Sequence, residues 1–183
     1  MWKFNFLFYA ITIVILLITG CQSNSVAPVM DNHSSTITLK KSVVVQSVSG
    51  SGNYSIDGDL RVFNFKADRY NDGSVSGHFD LNRHGTNVRY SGLITVFSVV
   101  GNIVYWGGFI TSSNQTTPDL SVGAGAISAA IDNGQGKNNP PDQVTLIATD
   151  HTLSQANLDQ YCNVDRYFVS PPVDVQKGGI VIH

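Results

Sequence analysis

The sequence predicts an all-β protein, an antiparallel meander of about eight strands closing into a small up-and-down barrel, with a β-sandwich as the alternative and at most one short helix. Three observations lead there. All 13 acidic residues are aspartate and glutamate is absent, a composition that suits turns and caps better than helix interiors. From Ser42 onward, apolar and polar residues alternate in short runs, the period of strands with one wet face. Asp-Gly, Asn-Asp-Gly and Gly-Asn groups divide those runs, and such groups mark hairpins.

The chain opens with Lys3 and an apolar run from Phe4 through Ile18, and this run closes on Ile18-Thr19-Gly20-Cys21. An uncleaved anchor needs about twenty apolar residues to span a bilayer. This run is shorter and carries Asn5, so a signal peptide over residues 1–20 is the better reading. It resembles a bacterial lipoprotein signal with its lipobox. The resemblance implies cleavage before Cys21, a diacylglycerol on its sulfur and an acyl group on its new amino terminus. A Cys21 with several acyl chains would hold the protein on a membrane, since stable anchoring takes two lipid signals or more. The expected location is the bacterial cell envelope outside the cytoplasm, on the outer membrane where the cell has one. Residues 21–41 are rich in Ser and Asn with little apolar periodicity, as in a flexible tether. A single domain is expected over residues 42–183.

In that domain the first strand is expected from Val43 to Ile56, ending at Asp57-Gly58. Leu60–Ala67 and Ser74–Leu81 follow, on either side of Asn71-Asp72-Gly73. In the second of these, Val75, Phe79 and Leu81 share one face while Ser76, His78 and Asp80 share the other. Val88–Val100 turns at Gly101-Asn102 into Ile103–Ile110, and further runs cover Val122–Ile131, Val144–Thr149 and Gly179–Ile182. Leu153–Tyr161 is the one helical stretch, with Thr152 as its expected cap. Closure into a barrel removes exposed strand edges, and the strand glycines Gly77, Gly92, Gly107, Gly108, Gly123 and Gly125 suit the bends that closure needs.

Several local patterns follow one another along the chain: Gly50-Ser51-Gly52, Phe63-Asn64-Phe65 leading to Asp72–Gly77, Val99-Val100-Gly101-Asn102, Trp106-Gly107-Gly108, Asp132-Asn133-Gly134 with Pro140-Pro141-Asp142, and the closing Gly178–His183. In this order they resemble a family of uncharacterised, exported bacterial β domains. The family pattern often has a cysteine where Val96 stands and an acidic residue where Gln135 stands. The resemblance implies a β fold and export, with no activity attached.

Chemistry-bearing motifs are few. Lys and Arg number 11 against 13 Asp, with no basic run longer than Lys40-Lys41, which argues against a nucleic-acid partner. The chain has no G-x-S-x-G or H-E-x-x-H pattern and no glutamate, so no catalytic residue is assigned and no cofactor or metal is expected. The candidate ligand or ion loop is Asp132, Asn133 and Asp142, whose oxygens suit a hard cation. Lys137 and the irregular spacing favour a plain loop built on Asx turns. His78 with Asp80 reads as a solvated strand face, and Tyr90, Tyr105 and Trp106 as core. Cys162 has no partner once Cys21 is lipidated, and reads as a buried structural thiol. The functional expectation is a non-catalytic lipoprotein whose β domain binds an unknown small molecule or envelope protein. An enzyme of unrecognised type and a purely structural envelope protein are the alternatives.

Overall fold

The computed structural model describes residues 42–183; the leader, Cys21 and the tether lie outside them. The described chain forms one antiparallel sheet curled into a half-barrel. Its strands are β1 (Val44–Ile56), β2 (Asp59–Tyr70), β3 (Val75–Arg83), β4 (Val88–Val100), β5 (Ile103–Ser113), β6 (Gly125–Ile131), β7 (Gln143–Val144), β8 (Ala148–Asp150), β9 (Val173–Asp174) and β10 (Lys177–Ile182). The sheet runs β10-β1-β2-β3-β4-β5-β6-β7-β9, with β8 paired separately to β6. Strands β1 to β6 are therefore a meander, and the last strand returns to pair with the first. No helix among the described residues is long and apolar enough to cross a membrane.

Turn chemistry explains the hairpins. Asp57 and Gly58 both take positive φ, 50° and 78°, as a two-residue turn between twisted strands requires. At the next reversal the Asp72 carboxylate accepts from both the backbone N–H (2.9 Å) and the hydroxyl (2.6 Å) of Ser74, an Asx turn. The expected strand from Val144 to Thr149 is split into β7 and β8, because the Thr145 side chain takes over the hydrogen bonds of that stretch. Its Oγ1 accepts from Ala129 N–H at 2.9 Å and lies 3.1 Å from the Ser128 hydroxyl. β9 was not anticipated, two residues being too short to show a period.

The concave face carries the main core. Phe63, Phe65 and Ala67 of β2, Phe79 and Leu81 of β3, Tyr90 and Ile94 of β4, and Val104, Trp106 and Ile110 of β5 all point inward. Phe79 lies 5.1 Å from Trp106 between ring centroids, and Phe65 lies 6.0 Å from it. Gly50 and Gly92 sit beneath the Phe65 and Phe79 rings, where a Cβ would collide. These strand glycines are thus covers for aromatic rings. The gap left among Tyr54, Phe65, Trp106 and Val144 is about 10 Å³, room for no more than one water.

A smaller core lies on the convex face. In β4 the register shifts between Ile94 and Val96, so that Val96 faces outward while Phe97 faces in. Val96, Tyr105, Ile127 and Ala129 are covered there by Leu158, Tyr161 and Cys162. These three come from α1 (Gln155–Gln160) and the π-helical turn Tyr161–Asp165 that continues it. The helix begins one residue pair later than expected. Ser154 is its cap and makes a reciprocal box with Asn157, while the Thr152 hydroxyl is held by Asp150 at 2.7 Å.

Candidate functional site

The loop between β6 and β7 brings Asp132, Asn133 and Asp142 together, but aims the two carboxylates at β10, while the Asn133 side chain donates to the Pro141 carbonyl at 2.6 Å. Along the outer edge of β10, the Ile180 N–H donates to Asp142 Oδ2 at 2.7 Å and the Ile182 N–H donates to Asp132 Oδ2 at 3.1 Å. The remaining oxygens accept from within the loop, Asp142 Oδ1 from Asn133 N–H at 2.7 Å and Asp132 Oδ1 from Gly134 N–H at 2.8 Å. Gln135 donates to the Ile180 carbonyl at 3.3 Å. The side chains thus take the place of a strand along an edge that would otherwise expose unpaired amides. Asp142 is 8% exposed, and both its oxygens are occupied. The arrangement clasps the seam of the half-barrel.

The other residues singled out from the sequence are scattered. His78 and Asp80 both approach the Asn64 amide, at 3.4 and 3.5 Å, on the exposed face. Tyr90 and Trp106 belong to the concave core and Tyr105 to the convex one. Cys162 is fully buried.

At one end of the half-barrel the inward alternation of β2 and β3 continues past the aromatic core into charged residues. Asp59 and Arg61 precede Phe63 in phase, and Arg83 follows Leu81 in phase. Arg61 faces Arg83 directly across the β2–β3 pair, and Tyr54 faces Arg61 across β1–β2. Like charges directly opposite destabilise a sheet, and Asp59 offsets this from between them. Its Oδ2 lies 3.0 Å from Arg83 Nε and 3.4 Å from Arg61 Nε, while its Oδ1 accepts from Gly85 N–H at 2.8 Å. The Gly85 amide and then the arginines hold the Asp59 carboxyl below its ordinary range. Burial pushes the Tyr54 and Tyr90 hydroxyls up, against the pull of the two guanidinium groups.

Together with Leu81, Val88 and Tyr90, these arginines form one wall of a concavity of about 440 Å³. Thr117, Asp119, Leu120, Leu146, Ile147 and Thr149 form the other. The second wall is fastened from outside. His151 donates from its backbone N–H to Asp119 Oδ1 at 3.1 Å, and its ring Nδ1 lies 2.6 Å from the same oxygen. That hydrogen bond raises the His151 pKa and lowers that of Asp119. Asp119, Asp150 and His151 bring three potential metal-ligating atoms within 4.8 Å of one another, all exposed. Their hydrogen bonds account for the grouping by tying the 3-10 turn Pro118–Leu120 to the end of β8.

Sequence reasoning missed this mouth. The signal was present in the placement of Arg61 and Arg83 on the inward phase of two strands whose other inward residues are aromatic or aliphatic. No family model matches the chain, and no curated protein or solved structure is similar to it.

Proposed function

We propose that this chain is a cell-envelope lipoprotein, held to a membrane through lipid on Cys21, whose half-barrel is a non-catalytic module that binds a small ligand at its mouth. The observation that carries the ligand reading is the contrast between the two spaces on the concave side. The centre is packed by Phe65, Phe79 and Trp106 and keeps about 10 Å³, whereas the mouth offers about 440 Å³, within the range of small-molecule sites. The mouth thus gives a ligand room that the packed centre does not, with aliphatic side chains for its body and fixed polar groups for its orientation. The Ile-Thr-Gly-Cys sequence after an apolar run supports the anchor.

Two measurements test this. Mass spectrometry of the mature protein is expected to find an acylated Cys21 at the amino terminus, and Cys21→Ser to abolish both processing and lipid; an unmodified mature chain counts against the anchor. A fragment screen by amide NMR is expected to shift Arg61, Arg83, Leu120 and Ile147 together. Binders that shift residues elsewhere and leave these unmoved would refute the mouth.

A further inference from the structure

We propose that the mouth takes a small organic oxyanion, a carboxylate or a phosphate monoester, held by the guanidinium groups of Arg61 and Arg83 with its apolar body against Leu120, Leu146 and Ile147. The proposal rests on the mouth being a ligand site and names the chemistry of what enters it. Three features of the geometry carry it.

Arg61 and Arg83 stand opposite each other on the inward face, with side chains only 13% and 29% exposed. Two partly dehydrated cations share the single carboxylate of Asp59, which leaves one positive charge without a counterion on that wall. Furthermore, Arg61 Nε is buried and makes no hydrogen bond among the described residues, its 3.4 Å approach to Asp59 lacking the geometry for one. Burying a guanidinium N–H without an acceptor is costly; the enclosed Nε is out of a ligand's reach, but a ligand oxyanion at the outer edge of the guanidinium group supplies the counter-charge that Asp59 divides between two arginines. Finally, the wall facing the arginines is aliphatic or hydroxyl-bearing apart from one aspartate. Asp119 stands on the opposite wall, but its Oδ1 is taken by His151, and the rest of that wall is Thr117, Leu120, Leu146, Ile147 and Thr149. A planar fork of donors beside an aliphatic wall matches an anion with an apolar body. The Tyr90 side chain lines the same wall as the arginines.

The test is calorimetric titration of the full-length protein in lipid nanodiscs with benzoate, phenyl phosphate, benzyl alcohol and inorganic phosphate. Benzoate or phenyl phosphate is expected to bind at least about tenfold more tightly than benzyl alcohol, which keeps the ring and lacks the charge. Whichever of the two anions binds more tightly distinguishes a carboxylate from a phosphate ligand. Arg83→Gln is expected to weaken the anion by about tenfold or more, and Arg83→Lys by less, since it keeps the charge and loses the fork. Asp59→Asn is expected to tighten it, because the competing carboxylate is gone while an acceptor for Gly85 N–H remains. That gain of affinity guards against an arginine variant that merely fails to fold.

Benzyl alcohol binding at the mouth as tightly as both anions would overturn the oxyanion and leave the mouth as a site. Inorganic phosphate binding as tightly as phenyl phosphate would overturn the apolar body. If neither organic anion binds, or Asp59→Asn weakens binding, the proposal is wrong, whatever the fragment screen says of the mouth.

Discussion

Among the described residues, nothing receives the Tyr161 hydroxyl. The ring packs edge-on against Tyr105 and Tyr167, with centroids at 6.1 and 5.3 Å, and the Oη is buried without a hydrogen-bond partner. Burial accordingly raises its pKa far above the ordinary tyrosine value. An orphaned buried hydroxyl costs roughly 1–3 kcal/mol, so Tyr161→Phe should raise the unfolding free energy by about 1 kcal/mol, read from urea midpoints at unchanged slope. A loss of stability would show that the hydroxyl has a partner. Its neighbour Cys162 is also fully enclosed, and burial pushes its thiol up to about 12. Since the thiolate is the reactive form, native protein should resist a thiol reagent that modifies it fully in denaturant. Rapid native labelling would contradict the burial of this face.

Among the elements, the β6–β7 loop separates its two aspartates by consequence. Asp142 accepts from the amide of Ile180, a fully buried residue, and from that of Asn133, whereas Asp132 serves the more open amides of Ile182 and Gly134. Stranding a buried donor costs about 1–3 kcal/mol, so Asp142→Ala should destabilise by about 3 kcal/mol and Asp132→Ala by about 1 kcal/mol. Hydrogen exchange at the Ile180 amide should accelerate in the first. Equal losses, or none, would mean the seam is held otherwise. With both carboxylates occupied, melting in EDTA and in millimolar calcium should agree; a micromolar site would add about 4 kcal/mol. The sequence made this loop conspicuous through its Asp, Asn and Gly content but could not say what it touches, because the partner amides on β10 lie 38 and 50 positions further along the chain. By contrast the six meander strands were legible to within three residues at each end, since turn chemistry and two-residue alternation are local. Ser154 escaped as the helix cap because Thr152 beside it has the same chemistry, and only Asn157 three positions on decides between them.

At the scale of the whole molecule, curvature was the feature the sequence left open between barrel and sandwich. It is set by long-range contacts: aromatic rings laid over Gly50 and Gly92, and a first strand that pairs with the last. The same distance dependence hid the mouth, whose walls come from β2 to β4 and from residues 117–149. Charges at that end, and Asp72 in the hairpin at the opposite end of β2, also set the response to pH. The Asp59, Asp72, Asp119 and Asp150 carboxyls are held below their ordinary 3.8 by hydrogen bonds to Gly85, Ser74, His151 and Thr152 respectively. Each stabilises the fold while ionised, so its contribution is complete above 3.8 and is lost as pH falls through the lowered native value. His151 runs the other way. Its pKa is raised above 6.5 by Asp119, so its contribution is complete below 6.5 and is lost as pH rises through the raised value. Melting temperature should therefore be highest between these limits, from 3.8 to 6.5, and decline on both sides. Asp119, Asp150 and His151 are more than half exposed, so salt should shrink their part of the effect. His151→Ala should flatten the alkaline limb alone, and Asp59→Asn part of the acid limb alone. A melting temperature that keeps rising above pH 6.5, or an alkaline limb that survives in His151→Ala, would show that the His151–Asp119 tie does not hold the wall of the mouth in solution.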